Sequence, residues 1–227
     1  MTTTLKWLGH AAFEIKTGGK TLLVDPYLTD NPLASMRSED AVADYILITH
    51  GHFDHVGDTI SIAKRTGASV IANAEISAWC SRQGVASHPL QVGDGFAFPF
   101  GYLKLTEAVH GSNLPDGSNG GSACGFLLTT LDEKKIYLAG DTSFFDGMRL
   151  IGEEGIDFAA LPIGGYYTMD PDDALHAVKL LRPTMVLPIH YNTNDHIHQD
   201  PAQWTARVLA ETSTKVALLK PGESVEI

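Results

Sequence analysis

The sequence predicts an α/β domain in which β-sheets form the centre and helices lie outside them. Three observations favour this class. The 227 residues are 44% hydrophobic and 19% charged, which is enough apolar content for a substantial core. Short apolar segments of strand length dominate the first half, and strand and helix patterns alternate afterwards. We find no internal repeat, linker or low-complexity tract, so residues 1–227 are expected to form a single domain.

In the first half of the chain, apolar runs predict strands, and glycines mark where elements end. Gly18 and Gly19 indicate a hairpin turn, and the polar residues 29–40 are expected to form a loop. Helices are predicted at 56–66 and 74–82, because each is followed closely by a glycine. The predicted strands are 5–9, 12–16, 21–25, 45–49, 70–72, 87–92, 95–99 and 102–109.

The second half alternates strands with helices. Residues 111–121 are rich in Gly, Ser, Asn, Asp and Pro, which predicts a long loop. Asp170 as N-cap and Pro171 at the first helical position mark the start of a helix that runs to residue 181. The other predicted elements of this half are helices at 144–154 and 202–211 and strands at 125–130, 135–139, 158–162, 185–188 and 216–219.

The composition excludes several classes of partner. Lys plus Arg is 16 and Asp plus Glu is 27, so the formal net charge is −11. Nucleic acids and anionic membranes are therefore not expected as partners, because both require a basic surface. Cys80 and Cys124 are too few for a disulfide framework, which indicates a reducing compartment. With no signal-peptide pattern and no apolar run of membrane-spanning length, we expect a soluble, cytoplasmic protein with a small-molecule partner. The sequence does not indicate an oligomeric state.

The ten histidines are unevenly spread, and residues 50–55 read HGHFDH. In an extended segment alternate side chains share a face, so His50 and His52 can bind one metal ion. A turn directly afterwards would direct Asp54 and His55 to a second point nearby. The segment follows a predicted buried strand and precedes a helix, where α/β proteins commonly place their sites.

Two ions need more ligands than one hexapeptide supplies, and three candidates follow predicted strands elsewhere. His110 follows the strand that ends at 109, Asp141 stands in GDT, and His190 stands in PIHY. Strand ends repeated in this way converge on one rim of a sheet sandwich. Each residue alone is explained by a loop or a turn, but together with the hexapeptide they predict a shared metal site.

The pattern H-x-H-x-D-H, with the later His, GDT and His, resembles the metallo-β-lactamase superfamily. The resemblance extends over essentially the whole chain, and it is specific for the fold and metal site but weak for the substrate. One departure is the segment NTNDHIHQDP at 192–201, where related hydrolases usually continue through TFP. Five further segments resemble the UPF0173-type metal-dependent hydrolases: WLGHA at 7–11, LLVDP at 22–26, PIG at 162–164, TMDP at 168–171 and PIHY at 188–191.

This resemblance implies an αββα four-layer sandwich, with two central mixed sheets flanked by helices and two divalent metal ions. The ions are expected to be zinc, with manganese or iron as alternatives. A metal-bound hydroxide would attack an ester, lactone, amide or phosphoester bond, and the site's net charge of about +1 favours an anionic substrate. The implied ligands are His50, His52 and His110 for the first ion, Asp54, His55 and His190 for the second, and Asp141 between them.

Several further residues are candidates for catalysis or substrate contact. Asp54 would orient the hydroxide and accept its proton. His10 would donate a hydrogen bond to a substrate oxygen or to a metal ligand, with a purely structural role as the alternative. Asp25, at the end of LLVD, is expected to orient a histidine ligand. The candidate substrate contacts are Asn113, Tyr167 and His196.

Other functions are compatible with the same fold. Iron-dependent redox proteins are one alternative, but the flavodiiron pattern replaces an early histidine with glutamate, which His52 contradicts. A one-iron dioxygenase would lack part of the second ligand group. Nucleases of this superfamily are the other enzymatic alternative. They carry an added RNA-binding arm or domain, and this short acidic chain contains no insertion that could form one. A non-catalytic metal-binding protein is disfavoured by the complete ligand set. The sequence does not identify the substrate.

Overall fold

The computed structural model describes residues 2–227, in which two seven-stranded mixed sheets pack face to face. The first sheet contains β1 (Thr4–Gly9), β2 (Ala12–Thr17), β3 (Lys20–Val24), β4 (Tyr45–Leu47), β5 (Ser69–Asn73), β6 (Ser87–Leu90) and the C-terminal β14 (Ser224–Glu226). β14 lies at one edge beside β1, and the strands then follow in chain order to β6. Pairing is antiparallel from β14 to β3 and parallel beyond it.

The second sheet has a closely similar arrangement. Its strands are β7 (Gly95–Phe98), β8 (Gly101–Glu107), β9 (Cys124–Thr130), β10 (Lys135–Leu138), β11 (Phe158–Pro162), β12 (Met185–Ile189) and β13 (Lys215–Val216). They neighbour one another in chain order, antiparallel from β7 to β10 and parallel from β10 to β13. In both sheets the parallel strands direct their carboxyl ends to one rim, where loops can assemble a site.

Helices cover the outer face of each sheet. They are α1 (Phe53–Val56), α2 (Thr59–Thr66), α3 (Ala74–Arg82), α4 (Met148–Gly152), α5 (Pro171–Leu181) and α6 (Pro201–Glu211). Alternation along β3 shows the layering: Leu22 and Val24 belong to the core shared with the second sheet, and Leu23 packs with residues of α2 and α3. Val178 of α5 and Trp204 of α6 pack against the second sheet. The predicted αββα sandwich is therefore confirmed.

One helix prediction was wrong at its start. The helix expected at 56–66 is two helices, α1 and α2, which are separated at Gly57. Gly57 has φ 40° and ψ −124°, and a Cβ there would lie 2.5 Å from the Pro26 carbonyl oxygen. Asp58 accepts hydrogen bonds from the backbone N–H groups of Leu28 and Thr29 at 3.0 and 2.8 Å. The loop after β3 thus interrupts the helix through contacts that the local sequence does not encode.

Three other elements differ from the prediction. The helix expected at 144–154 is limited to α4, because Phe144 and Phe145 pack against the core before the helix begins. The last strand, expected at 216–219, is only the two-residue β13. β14 was not predicted, because three residues with one apolar side chain give no periodic signal, and its pairing with Thr4–Lys6 is set by tertiary packing. Within residues 2–227, no helix combines the length and apolarity that crossing a bilayer requires.

Both cysteines are unpaired and buried, so we expect them to react slowly in the folded protein. Burial raises the pKa of Cys80 to about 11, and burial also raises the pKa of Cys124. Labelling with a disulfide reagent at pH 8 should be roughly 100-fold slower or more than in urea, because the thiolate is scarce and shielded. Two thiols should react in urea. Rapid labelling of either cysteine in the folded protein would contradict the burial.

Candidate metal centre

The predicted ligands meet at the rim where parallel strands end. His50 and His52 lie in the connection between β4 and α1, Asp54 and His55 lie in α1 itself, and His190 directly follows β12. His110 and Asp141 each lie three residues beyond the end of their strands, β8 and β10. The first sheet and the second sheet therefore both contribute ligands, and the structure brings together all seven residues that the sequence indicated.

A first group consists of three imidazoles. The Nδ1 atom of His52 lies 3.0 Å from Nε2 of His50 and 3.2 Å from Nε2 of His110. Burial, together with the neighbouring histidines, lowers the pKa of His50 below its ordinary value, and burial likewise lowers the pKa of His110. Neutral imidazoles present lone pairs, which is the form that binds a metal ion.

A second group consists of His10, Asp54, His55 and His190, whose ligand atoms lie within 4.8 Å of one another. The Nε2 atom of His190 is 3.8 Å from Oδ2 of Asp54. Burial alone would lower the pKa of His190, but the charge of Asp141 outweighs it and raises the pKa to about 9. A divalent ion bound here would displace the resulting proton, so metal binding should release protons.

Asp141 lies between the two groups. One carboxylate oxygen, Oδ1, is 3.3 Å from Nε2 of His55, and the other, Oδ2, is 3.1 Å from Nε2 of His190. Oδ2 is also 3.6 Å from Nε2 of His110 and 3.9 Å from Nε2 of His50. Burial raises the pKa of Asp141, but the charges of His190 and His55 outweigh this and hold the pKa well below its ordinary value. A carboxylate in this position can serve ions in both groups.

The buried polar atoms of the site fit a metal centre. Nε2 of His55, Oδ1 of Asp141 and Nε2 of His190 are buried without a hydrogen-bond partner in the described part of the chain. Leaving such atoms unpaired costs about 1–3 kcal/mol each, so a site that keeps several of them together needs a compensating ligand. Imidazole and carboxylate donors without thiolate suit zinc, manganese or iron.

Asp25 and Thr49 orient two of the ligands by contacting their Nδ1 atoms. Nδ1 of His55 donates to Oδ2 of Asp25 at 2.7 Å, as the sequence predicted for this aspartate. The Thr49 hydroxyl donates to the same carboxylate oxygen at 2.6 Å, and it lies 3.0 Å from Nδ1 of His50. With both Nδ1 atoms engaged, His50 and His55 direct Nε2 toward the centre, which is the usual arrangement behind metal-binding histidines.

His10 lies behind Asp54. Its Nε2 is 3.2 Å from Oδ2 of Asp54, and its Nδ1 is 2.9 Å from the Thr193 hydroxyl. Burial, with the nearby His190, lowers the pKa of His10 to about 4, so the ring is neutral. Since an ionised carboxylate can only accept, Nε2 carries the proton and the Thr193 hydroxyl donates to Nδ1. His10 therefore contacts a candidate ligand, one of the two roles predicted for it.

The backbone at the site is strained. His10, Asp25 and His190 have φ values of 56°, 42° and 54°, in the left-handed region that non-glycine residues rarely adopt. Such conformations cost of order 1–3 kcal/mol each and cluster where the surroundings fix a functional geometry. The three residues turn the chain sharply at strand ends, and this places their side chains toward the centre.

The site opens into a cavity of about 320 Å³. Tyr167 lies in its wall, as predicted for a substrate contact. Asn113 is exposed in the loop 111–121, where it bridges to Asn119, and it does not line the cavity. His196 is also exposed, and it stacks on Tyr166 with ring centroids 4.8 Å apart rather than lining the cavity. The roles of these three residues in substrate binding stay predictions.

Sequence reasoning missed four residues that contact or line the site. Thr49 precedes the hexapeptide and Phe53 lies within it, so position alone could have drawn attention to both. Thr193 and Asn194 stand in the segment 192–201, whose histidines were the apparent anomaly. Neither residue belongs to a recognisable sequence pattern. Only the fold brings Thr193 to His10 and Asn194 to the cavity.

Comparison with known proteins defines the class and then the family. A sequence model described as a β-lactamase superfamily domain matches residues 20–191, a span that contains all seven predicted ligands. This match covers most of the chain and places it in the β-lactamase superfamily. A UPF0173 metal-dependent hydrolase from Pelotomaculum thermopropionicum is 45% identical over 226 residues, covering 97% of this chain and 98% of that protein. The chain belongs to the UPF0173 family of metal-dependent hydrolases, so the predicted resemblance is confirmed.

Two further relatives agree with this assignment. A UPF0173 metal-dependent hydrolase from Thermus thermophilus is 43% identical over 223 residues, covering 98% of each chain. Among solved structures, the metallo hydrolase Igni18 from the archaeon Ignicoccus hospitalis matches with a TM-score of 0.92 and 37% sequence identity. That match covers 100% of this chain and 99% of Igni18. The fold and the metal-dependent hydrolase class are therefore shared over the full length.

Proposed function

We propose that this protein is a dinuclear hydrolase that uses two divalent ions, best matched by zinc, to cleave an ester, lactone, amide or phosphoester bond of a small molecule. One observation carries the proposal: the two carboxylate oxygens of Asp141 lie 3.3 Å from His55 and 3.1 Å from His190, and 3.6–3.9 Å from two histidines of the other group. A carboxylate shared between two ligand groups is the arrangement that two neighbouring ions require.

The ions would supply Lewis acidity, which lowers the pKa of bound water from 15.7 towards about 7 and polarises the oxygen under attack. Asp54 lines the cavity with a partly exposed carboxylate, so it can orient the attacking water and accept its proton. The water oxygen adds to the carbonyl or phosphoryl centre, the bond to the leaving group breaks, and the proton passes to that group. His10 acts through Asp54, because its Nε2–H fixes one carboxylate oxygen.

The site would act on a small molecule in the cytoplasm. The 320 Å³ cavity lies within the usual size range for small-molecule sites, and it includes five of the predicted ligands in its wall. The expectation of an anionic substrate rests on the net charge of about +1 that the ions, their carboxylate ligands and the hydroxide give the site. Both cysteines are unpaired, in keeping with the reducing compartment expected from the composition. A panel of neutral and charged esters, lactones, amides and phosphodiesters, tested on metal-loaded protein, identifies the bond class.

Metal-loaded protein should contain close to two ions per chain, because the Asp141 carboxylate lies between two ligand groups. Elemental analysis after removal of loosely bound metal measures the number, and analysis of protein purified without added metal identifies the native element. His52→Ala should remove about one ion, since His52 belongs only to the first group. His88→Ala, in β6, serves as the control and should keep both. One ion or none in the parent protein would exclude the dinuclear proposal.

A further inference from the structure

Three residues of the cavity wall are not predicted metal ligands: Phe53, Tyr167 and Asn194. The side chain of Phe53 is 67% exposed and that of Tyr167 is 49% exposed. Phe53 is the first residue of α1, which follows β4 of the first sheet, and Tyr167 follows β11 of the second. Each sheet therefore contributes one solvent-exposed aromatic ring to the cavity. Exposed aromatic groups beside a polar centre are typical of a binding surface for a flat or apolar group.

The charges of the cavity wall point to an uncharged substrate. No Lys or Arg is present among the residues that line the cavity in the described part of the chain, so neither a guanidinium nor an ammonium group faces the cavity. Anions are normally held by charge-assisted hydrogen bonds from arginine or lysine. An anionic group outside the reach of the ions would have no such partner here.

Asn194 supplies a donor of known orientation. Its Oδ1 accepts a hydrogen bond from the backbone N–H of His196 at 3.0 Å. Because a backbone N–H can only donate, this contact identifies which side-chain atom of Asn194 is the oxygen. Nδ2 has no hydrogen-bond partner among residues 2–227, and an amide NH₂ suits a neutral oxygen acceptor.

We infer that the substrate is an uncharged ester, lactone or amide that carries an aryl or similarly flat apolar group beside the scissile bond. The flat group contacts Phe53 and Tyr167, and a substrate oxygen accepts a hydrogen bond from Nδ2 of Asn194. This inference rests on the proposed hydrolase function and specifies its substrate class.

Three matched methyl esters test the inference on metal-loaded protein: methyl phenylacetate, methyl propanoate, and methyl phenylacetate with a para carboxylate. We expect kcat/KM for the aryl ester to exceed that for the alkyl ester by about 10-fold or more, the order that apolar pocket contacts provide. The para carboxylate should lower kcat/KM by a similar factor. Equal values for the aryl and alkyl esters, or a preference for the carboxylate, would overturn the inference while the hydrolase function stands.

Variants assign the preference to residues. Phe53→Ala and Tyr167→Ala should each lower the ratio of kcat/KM for the aryl ester to that for methyl propanoate severalfold, mainly through a higher KM for the aryl ester. Tyr102→Ala is the matched control, because Tyr102 is a tyrosine of similar exposure (46%) on β8 and outside the cavity. Asn194→Asp keeps an oxygen for His196 N–H but loses the donor, so it should raise KM for both neutral esters. An aryl preference that survives both Phe53→Ala and Tyr167→Ala, or an unchanged KM in Asn194→Asp, would contradict the assignment.

A binding measurement separates this inference from the proposed function. Acetanilide is a neutral aryl amide, and its binding to the metal-loaded protein can be followed by saturation-transfer NMR. If no member of the ester, lactone, amide and phosphodiester panel is hydrolysed but acetanilide binds, and Tyr167→Ala weakens that binding, the recognition site stands and the proposed bond classes fail. If acetanilide binds equally to the parent and to Tyr167→Ala, the recognition site fails. Metal content is measured for every variant, and Phe53→Leu replaces Phe53→Ala if the alanine variant loses metal.

Discussion

Replacing Asp54 with asparagine is expected to lower turnover by about 10²–10⁴-fold, the usual contribution of a positioned general base. The volume of the side chain is nearly unchanged, and the amide oxygen can still face His10 Nε2, which lies 3.2 Å from Oδ2 in the parent. An amide cannot accept a proton from the attacking water. Metal content should fall much less than turnover, because the other six predicted ligands remain.

The measurement compares turnover of the best substrate from the panel with metal content of the same sample, with metal in excess. Excess metal is needed because the substitution removes one negative charge from the second group. Asp173→Asn is a suitable control, since this carboxylate lies in the first turn of α5, outside the site. A fully metallated variant that turns over like the parent would show that Asp54 acts only as a ligand.

Asp141→Ala should remove far more metal than Asp25→Ala. Asp141 lies within 3.9 Å of nitrogens from four histidines, in both ligand groups, whereas Asp25 contacts only His55 among the ligands. Loss of a residue that only orients a ligand typically costs 10–100-fold in metal affinity. We therefore expect Asp141→Ala to lose most of both ions and its turnover. Asp25→Ala should recover its metal at higher metal concentration.

Metal titration followed by elemental analysis measures both variants, and circular dichroism shows that each is folded. Asp141→Asn is the second variant if the alanine protein does not fold, because it keeps the volume and one oxygen. Equal metal affinities for the Asp141 and Asp25 variants would mean that the bridging and orienting roles are wrongly assigned. Such a result would also remove the main support for two ions that share one carboxylate.

Features that depend on local sequence were predicted more completely than features that depend on contacts between distant segments. The hexapeptide HGHFDH encodes its own geometry, since His50 and His52 follow a strand and α1 begins directly after them. Strand ends identified His110, Asp141 and His190, because β8, β10 and β12 run in the same direction and end at a common rim. Layering was predictable because strands such as β3 carry consecutive buried apolar residues, which is typical of a strand covered on both faces.

The features that escaped prediction depend on contacts between distant segments. Thr193 meets His10 across 183 positions, and neither residue stands in a pattern that indicates the other. The break between α1 and α2 follows from the approach of Pro26 to Gly57, which no local propensity reports. β14 exists because β1 offers an unpaired edge, and not because its three residues favour a strand. Propensity and periodicity describe neighbours in the chain, so they do not predict features that depend on tertiary contacts.

The division of ligands between the two sheets has a consequence for stability. His50 and His52 follow a strand of the first sheet, and His110, which completes their group, follows a strand of the second. The second group is divided in the same way between His55 and His190. An ion bound by either group would act as a clamp across the sandwich, much as a cross-link does, and neither half of the chain could hold it alone. The free energy of metal binding would then be part of the free energy of folding, and thermal stability would follow metal supply.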